Sequence, residues 1–245
     1  MRRYPSRYVS SFSFGPGPVS SAIKALIIAN VAVFFAQFFP ILTRLWGLQP
    51  YLVVRGWIWQ PATYMFLHGG LFHILFNMLA LWMFGTELER TWGTRYFLKF
   101  YFVTGIGAGL LTVALSLLPF DFARQIYASN VIGASGAIYG LLLAYGLYFP
   151  DRPIYMYLLF PVPAKIFVLI MGLIAFYSSV VGASGVANAT HLGGLLVGYL
   201  YLKGRRIDPL AELKYRYLKW KINRVRKKFD VYSGGRADDW DRRVH

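Results

Sequence analysis

Residues 166–202 read IFVLIMGLIAFYSSVVGASGVANATHLGGLLVGYLYL, 37 positions without one charged side chain. A helix that crosses a bilayer needs about 20 apolar residues. The stretch is too long for one crossing and long enough for two if the chain reverses inside it. Gly182-Ala183-Ser184-Gly185 supplies the break, which predicts spans at 164–182 and 189–203. Working outward, the uncharged gaps 25–43, 56–86, 100–120 and 125–150 each hold one further span. Those spans are expected at 22–40, 63–85, 97–118 and 132–150. Backbone groups in lipid must be satisfied within the segment, so the spans are helices. The expected fold is all-α, a polytopic membrane protein with a six-transmembrane-helix bundle.

Composition agrees with this reading. Of 245 residues, 57% are hydrophobic and 15% charged, against about 45–50% and about 25% in soluble domains. A soluble enzyme is excluded. The lack of cysteine removes disulfides, thiol nucleophiles, thiolate metal sites and iron–sulfur clusters. The formal charge of +16 comes from 26 Lys and Arg against 10 Asp and Glu, and fourteen of the basic residues lie at or after Lys203. Three parts follow: a cytoplasmic segment 1–19, a membrane body 20–203 and a basic tail 204–245. The first apolar run starts late, exceeds a signal-peptide core and is followed by no small-residue cleavage site, so it is read as an anchor.

Charge also sets the orientation. With both termini in the cytoplasm, 23 basic residues lie inside and only Arg44, Arg55 and Arg124 outside. The positive-inside rule selects that arrangement. Spans two, four and six then run inward from the outer leaflet. Their outer ends carry His68 and His73, Ser135, and His191, three spans delivering reactive side chains to one depth.

Ionisable groups within a bilayer are costly and mark function. None of the ten acidic residues falls inside an expected span, with Glu87 and Glu89 at the cytoplasmic edge of the second. An intramembrane aspartyl pair is therefore absent, as is a His-Glu-x-x-His zinc helix. Histidine and serine are left. In Gly133-Ala134-Ser135-Gly136, small neighbours expose a hydroxyl and a backbone amide at a helix start. The same residues also suit plain helix packing, since Gly136 and Gly140 form a small-xxx-small pair. His191 precedes Gly194 and Gly198, a second pair at the same spacing, so two glycine faces can bring serine and imidazole within reach. Tyr139, one turn from Ser135, can stack on that imidazole. His73 and Asn77 are four apart and share a helix face, able with the Ser135 amide to donate to one oxyanion. Interhelical hydrogen bonds are the alternative for each. His68 and His73, five apart and without a carboxylate partner, make no metal site.

This constellation resembles the rhomboid intramembrane serine proteases. The likeness lies in Gly133-x-Ser135-Gly136 with Tyr139, in His191-Leu-Gly-Gly, and in His68-Gly-Gly-Leu-Phe-His73-Ile-Leu-Phe-Asn77. It also includes Gly85-x-x-x-Glu89-Arg90-x-x-Gly93 and runs over residues 20–203. The resemblance implies Ser135 as nucleophile, His191 as general base in a dyad without an acid, and His73, Asn77 and the Ser135 amide around the oxyanion. No cofactor or metal is implied, and the substrate class is single-span membrane proteins cut near the outer face. One departure stands out: Trp59-Gln60-Pro61, where many members carry Trp-Arg, bears on the folding of the loop before span two. The competing reading is a non-catalytic relative that binds client transmembrane helices; a transporter lacks support, as no inverted repeat or charged pathway is visible.

In the tail, residues 204–229 are expected to form an interfacial helix. Asp208 and Pro209 suit its start, and Leu218, Ile222, Val225 and Phe229 form its apolar face. Anionic lipid is the expected partner and nucleic acid is not. The expected location is a bacterial inner membrane.

Overall fold

The computed structural model describes residues 17–156, 160–181, 185–206, 217–222 and 224. By its internal contacts the chain divides into two units, Met1–Leu202 and Lys203–His245.

The long helices are α1 (Ser21–Ala36), α2 (Leu71–Trp92), α3 (Thr94–Ser116), α4 (Ser135–Tyr148), α5 (Ala164–Val181) and α6 (Gly185–Arg206). Two of them, α2 and α3, are long and apolar enough to cross a membrane unaided; α1, α4 and most of α5 are apolar but shorter. α4 is buried on nearly every side, from Gly136 through Gly146, as expected of a helix apolar all round. The periphery is inverted relative to a water-soluble protein. Leu71, Phe72 and Phe76 on α2 are 68%, 72% and 64% exposed, a contiguous apolar surface that marks contact with lipid or another apolar partner.

Several expected boundaries move. α2 starts at Leu71 rather than 63, because residues 60–66 form separate short turns and Gly69-Gly70 interrupts them. It then continues past 85 through a π-helical turn, Leu81–Gly85, to Trp92, so Glu87 and Glu89 are helical. The extension is held by Glu89, which is buried. Its carboxylate accepts from Ser20 Oγ, the N-cap of α1, and from Thr94 Oγ1 at the start of α3 (2.7 Å). One acid thus joins three helix ends. Gly93, at φ +78°, makes the turn between α2 and α3 that a side chain would strain. α6 starts four residues earlier than expected, so His191 lies in its second turn. The helix is then about 33 Å long at 1.5 Å per residue, longer than the stretch 189–203 expected from the sequence.

The all-α expectation also needs correction between α4 and α5. There, β1 (Pro153–Met156) and β2 (Phe160–Pro163) pair antiparallel, with Pro153 opposite Pro163 and Met156 opposite Phe160. Ile154 points inward and Tyr155 outward, the two-residue alternation of a strand. Pro153 and Pro163 stand at strand ends and Pro161 inside the second strand; both strands are edges of a two-stranded sheet, where a missing N–H is tolerated.

The loop between α1 and α2 is folded around the residue that departs from the family pattern. Gln60 is fully buried. Its Oε1 accepts from the Gln49 amide (3.0 Å) and its Nε2 donates to the Leu45 carbonyl (3.4 Å). Trp59 Nε1 donates to the same carbonyl (3.0 Å). The loop's short helices, Pro40–Trp46, Pro50–Val53 and Gln60–Thr63, all carry proline in the first turn, where it costs no hydrogen bond. Leu48 pairs with Val131 through both backbone bonds, tying this loop to the segment that leads into α4.

In the second unit, residues 217–222 are helical and Arg224 lies over the Trp220 ring at 5.2 Å. Leu218 and Ile222 share a face of that helix. Asp208, Pro209, Val225 and Phe229 lie outside the described residues.

Candidate active site

The chain enters α4 through an anchored segment. Val131 is paired to Leu48, and the Gly133 N–H donates to the Tyr64 carbonyl (2.9 Å). Gly133, at φ +129°, then redirects the backbone so that Ser135 becomes the first residue of the helix. The N–H groups of a helix's first turn have no partner within it and favour negative charge nearby.

α6 brings His191 to this point. Its Nε2 lies 2.7 Å from Ser135 Oγ, a hydrogen bond. The imidazole is stacked flat on Tyr139, with centroids 4.4 Å apart and planes 6° from parallel. The close approach of α4 and α6 is made by glycine. A Cβ on Gly194 would collide with the Gly136 carbonyl oxygen, and one on Gly198 would sit 3.3 Å from Gly140 Cα. The glycines of α4 serve a different neighbour from the one expected. A Cβ on Gly136 would meet Ala108 Cβ and Tyr64 Oη at 3.0 Å, and one on Gly140 would meet Thr104 Cβ at 2.8 Å. α4 is therefore thinned towards α3, while α6 supplies the bare face turned to α4.

His73 approaches from α2. The Gly69 N–H donates to its Nδ1 (3.2 Å), so the proton of the neutral ring belongs on Nε2. A Cβ on Gly133 would stand 2.8 Å from that Nε2 and 3.5 Å from Ser135 Oγ. The absence of a side chain at Gly133 thus leaves a space bounded by a ring N–H and the serine oxygen. Asn77, one turn further along α2 and buried, donates one amide N–H to the His73 carbonyl (2.7 Å) and has a second to offer. His68 is buried edge-on against the His73 ring (5.1 Å). Its backbone is clasped by Gln37, whose Oε1 accepts from the His68 N–H (2.8 Å) and whose Nε2 donates to the His68 carbonyl (3.1 Å).

Ser135, His191, Tyr139, His73 and Gly133 are thus gathered in one place. Three residues that pack around this place carried no sequence signal. Tyr64, one of 18 tyrosines, holds Gly133 through its carbonyl and the Gly105 carbonyl through its hydroxyl (2.7 Å). Thr112 and Thr190 pair across α3 and α6. Stacking of this kind contributes about 0.5–1.5 kcal/mol, so Tyr139→Ala should slow any reaction at this site up to about tenfold. Tyr139→Phe keeps the ring and should stay near the wild-type rate; turnover of purified variants measures both.

A family profile described as Rhomboid domain matches residues 55–205, more than half of the chain. The chain belongs to the rhomboid family. Rhomboid family proteins are integral membrane proteins, which accounts for the apolar periphery. The chain is 30% identical over 209 positions to "Rhomboid protein 1, mitochondrial" of Saccharomyces cerevisiae, covering 81% of this rhomboid and 57% of that protein. It is 30% identical over 223 positions to "Rhomboid protease AarA" of Providencia stuartii, covering 80% and 76%. It is also 29% identical over 168 positions to "Rhomboid-like protein 16, chloroplastic" of Arabidopsis thaliana, covering 63% and 52%. This rhomboid therefore spans little more than half the length of the yeast and plant relatives. Their names place rhomboid proteins in mitochondria and chloroplasts too, so kinship does not single out a bacterial inner membrane.

Proposed function

We propose that the chain is a serine endopeptidase that cuts single-span membrane proteins within the bilayer, near its outer face. The observation that carries this reading is the Ser135 Oγ–His191 Nε2 hydrogen bond beside the open space over Gly133. Support also comes from the relative in Providencia stuartii, which is named a rhomboid protease.

His191 accepts the hydroxyl proton of Ser135 through Nε2 as Oγ attacks the scissile carbonyl carbon. The developing oxyanion takes hydrogen bonds from His73 Nε2–H, the Ser135 N–H and the free N–H of Asn77. His191 then passes the proton to the leaving amine, and water, activated by the same base, releases the acyl group from Ser135. Among the described residues no acid orients the imidazole; Tyr139 and the packing of α6 do. Gly136, Gly194 and Gly198 support the site by keeping α3, α4 and α6 in close contact, and Gly133 by leaving room beside His73 and Ser135.

In this proposal α1 to α6 are six spans in the body 20–203, with both termini on the cytoplasmic side of a bacterial inner membrane. That orientation rests on the placement of basic residues. Segment 1–19 precedes the body, and the tail 204–245 lies against anionic lipid of the inner leaflet through its basic helix. The full chain, reconstituted in liposomes with a single-span substrate, tests the reading. Two fragments with a cut in the outer part of the span are expected. Substrate that binds but stays whole would favour the client-binding alternative.

A further inference from the structure

The imidazole of His191 lacks the hydrogen bond that orients it in sites with an acidic third member. Its Nδ1 is buried with no partner among the described residues. Stacking on Tyr139 fixes the plane of the ring but leaves it free to slide within that plane, so the helix that carries it must supply the remaining restraint. One polar contact between helices lies directly beside it. Thr112 Oγ1 on α3 and Thr190 Oγ1 on α6 lie 2.8 Å apart, and both residues are buried.

Counting protons gives the bond a direction. Thr112 Oγ1 is 2.9 Å from the Ala108 carbonyl, whereas Thr190 Oγ1 is 3.3 Å from the Val186 carbonyl. Two hydroxyl protons satisfy the two shorter contacts if Thr190 donates to Thr112 and Thr112 donates to Ala108. The threonine side chain is stiff at its first torsion, so fixing Oγ1 also fixes the methyl. That methyl faces α4: a Cβ on Gly136 would lie 3.5 Å from Thr190 Cγ2. Thr190 is thus wedged between α3 and α4, directly before His191 and against the residue that follows Ser135.

We infer that the Thr112–Thr190 hydroxyl pair sets the rotation of α6 and thereby holds His191 Nε2 on Ser135 Oγ, making Thr112 a positioning residue for the reaction. The inference rests on the endopeptidase reading above. Either hydroxyl keeps a carbonyl acceptor on its own helix when the other is removed, so the isosteric valine variants leave no buried donor unsatisfied. Thr112→Val in the full-length chain is expected to lower kcat about five- to tenfold. KM should not change, and labelling of Ser135 by a fluorophosphonate should slow by the same factor. Thr112→Ser, which keeps the hydroxyl, should stay within about twofold of wild type, and Thr112→Val/Thr190→Val should be no slower than the slower single variant. A Thr112→Val protein with wild-type kcat, a Thr112→Ser protein as slow as Thr112→Val, or losses that multiply in the double variant would overturn the inference alone. Wild-type protein that neither cleaves nor is labelled would refute the endopeptidase reading and this inference with it.

Discussion

Ser135→Ala and His191→Ala are each expected to reduce peptide-bond cleavage by about 10⁴-fold or more, to the background of the assay. The reason is the 2.7 Å contact between the two groups. A serine hydroxyl is a weak nucleophile until a base takes its proton, and an imidazole beside an alanine has no nucleophile to activate. Because the two act as one unit, the double variant should be no slower than either single variant. Fragment yield from a single-span substrate, followed over hours with purified variants, measures all three. The folded state should survive: Ser135→Ala removes one hydrogen bond, His191→Ala removes that bond and the stack on Tyr139, and the glycine contacts between the helices stay intact. A His191→Ala protein within about tenfold of wild type would mean that another group serves as base.

Gly194→Ala is expected to cost about 10²- to 10³-fold in turnover although the residue carries no chemistry. Its new Cβ would strike the Gly136 carbonyl oxygen and lie 2.9 Å from the carbonyl carbon. Backbone atoms within two packed helices cannot swing aside as a side chain can, so α6 must retreat from α4 by about an ångström. A displacement of that size at a reacting pair is worth about 10²-fold, and here it stretches a hydrogen bond on which the proton transfer depends. Gly204 is a control on the same helix. A Cβ there meets nothing, and Gly204→Ala should leave turnover unchanged while modestly favouring the helix. Equal activity in Gly194→Ala and wild type would show that α6 has slack that the contact does not reveal.

The residues gathered at the candidate site were largely legible in the sequence because they are few in type and lie in motifs with short spacings. Ser135 among glycines, His191 ahead of two more, and His73 four residues before Asn77 can each be read without coordinates. The body was legible to the extent that charge and small-residue breaks mark the ends of apolar helices; α3 and α5 lie within a few residues of the stretches expected at 97–118 and 164–182. Where a helix end is decided by something other than charge, the reading slipped. Glu89 looks like a boundary residue, yet three helix ends converge on its carboxylate and carry α2 through to Trp92. The start of α6 is set by Gly185-Val-Ala-Asn-Ala, a stretch whose small residues read equally well as loop. The pairing of 153–156 with 160–163 was hidden by its prolines, and the Thr112–Thr190 pair by a separation of 78 positions. Long-range contacts between ordinary residue types leave no local pattern.

A fluorophosphonate probe on the full-length chain in detergent tests the central claim most directly, because it needs no knowledge of the substrate. Intact-mass analysis should show one phosphonyl adduct per chain, peptide mapping should locate it on Ser135, and His191→Ala should abolish it. An adduct on any other residue, or labelling of Ser135 that persists at full rate without His191, would contradict the account.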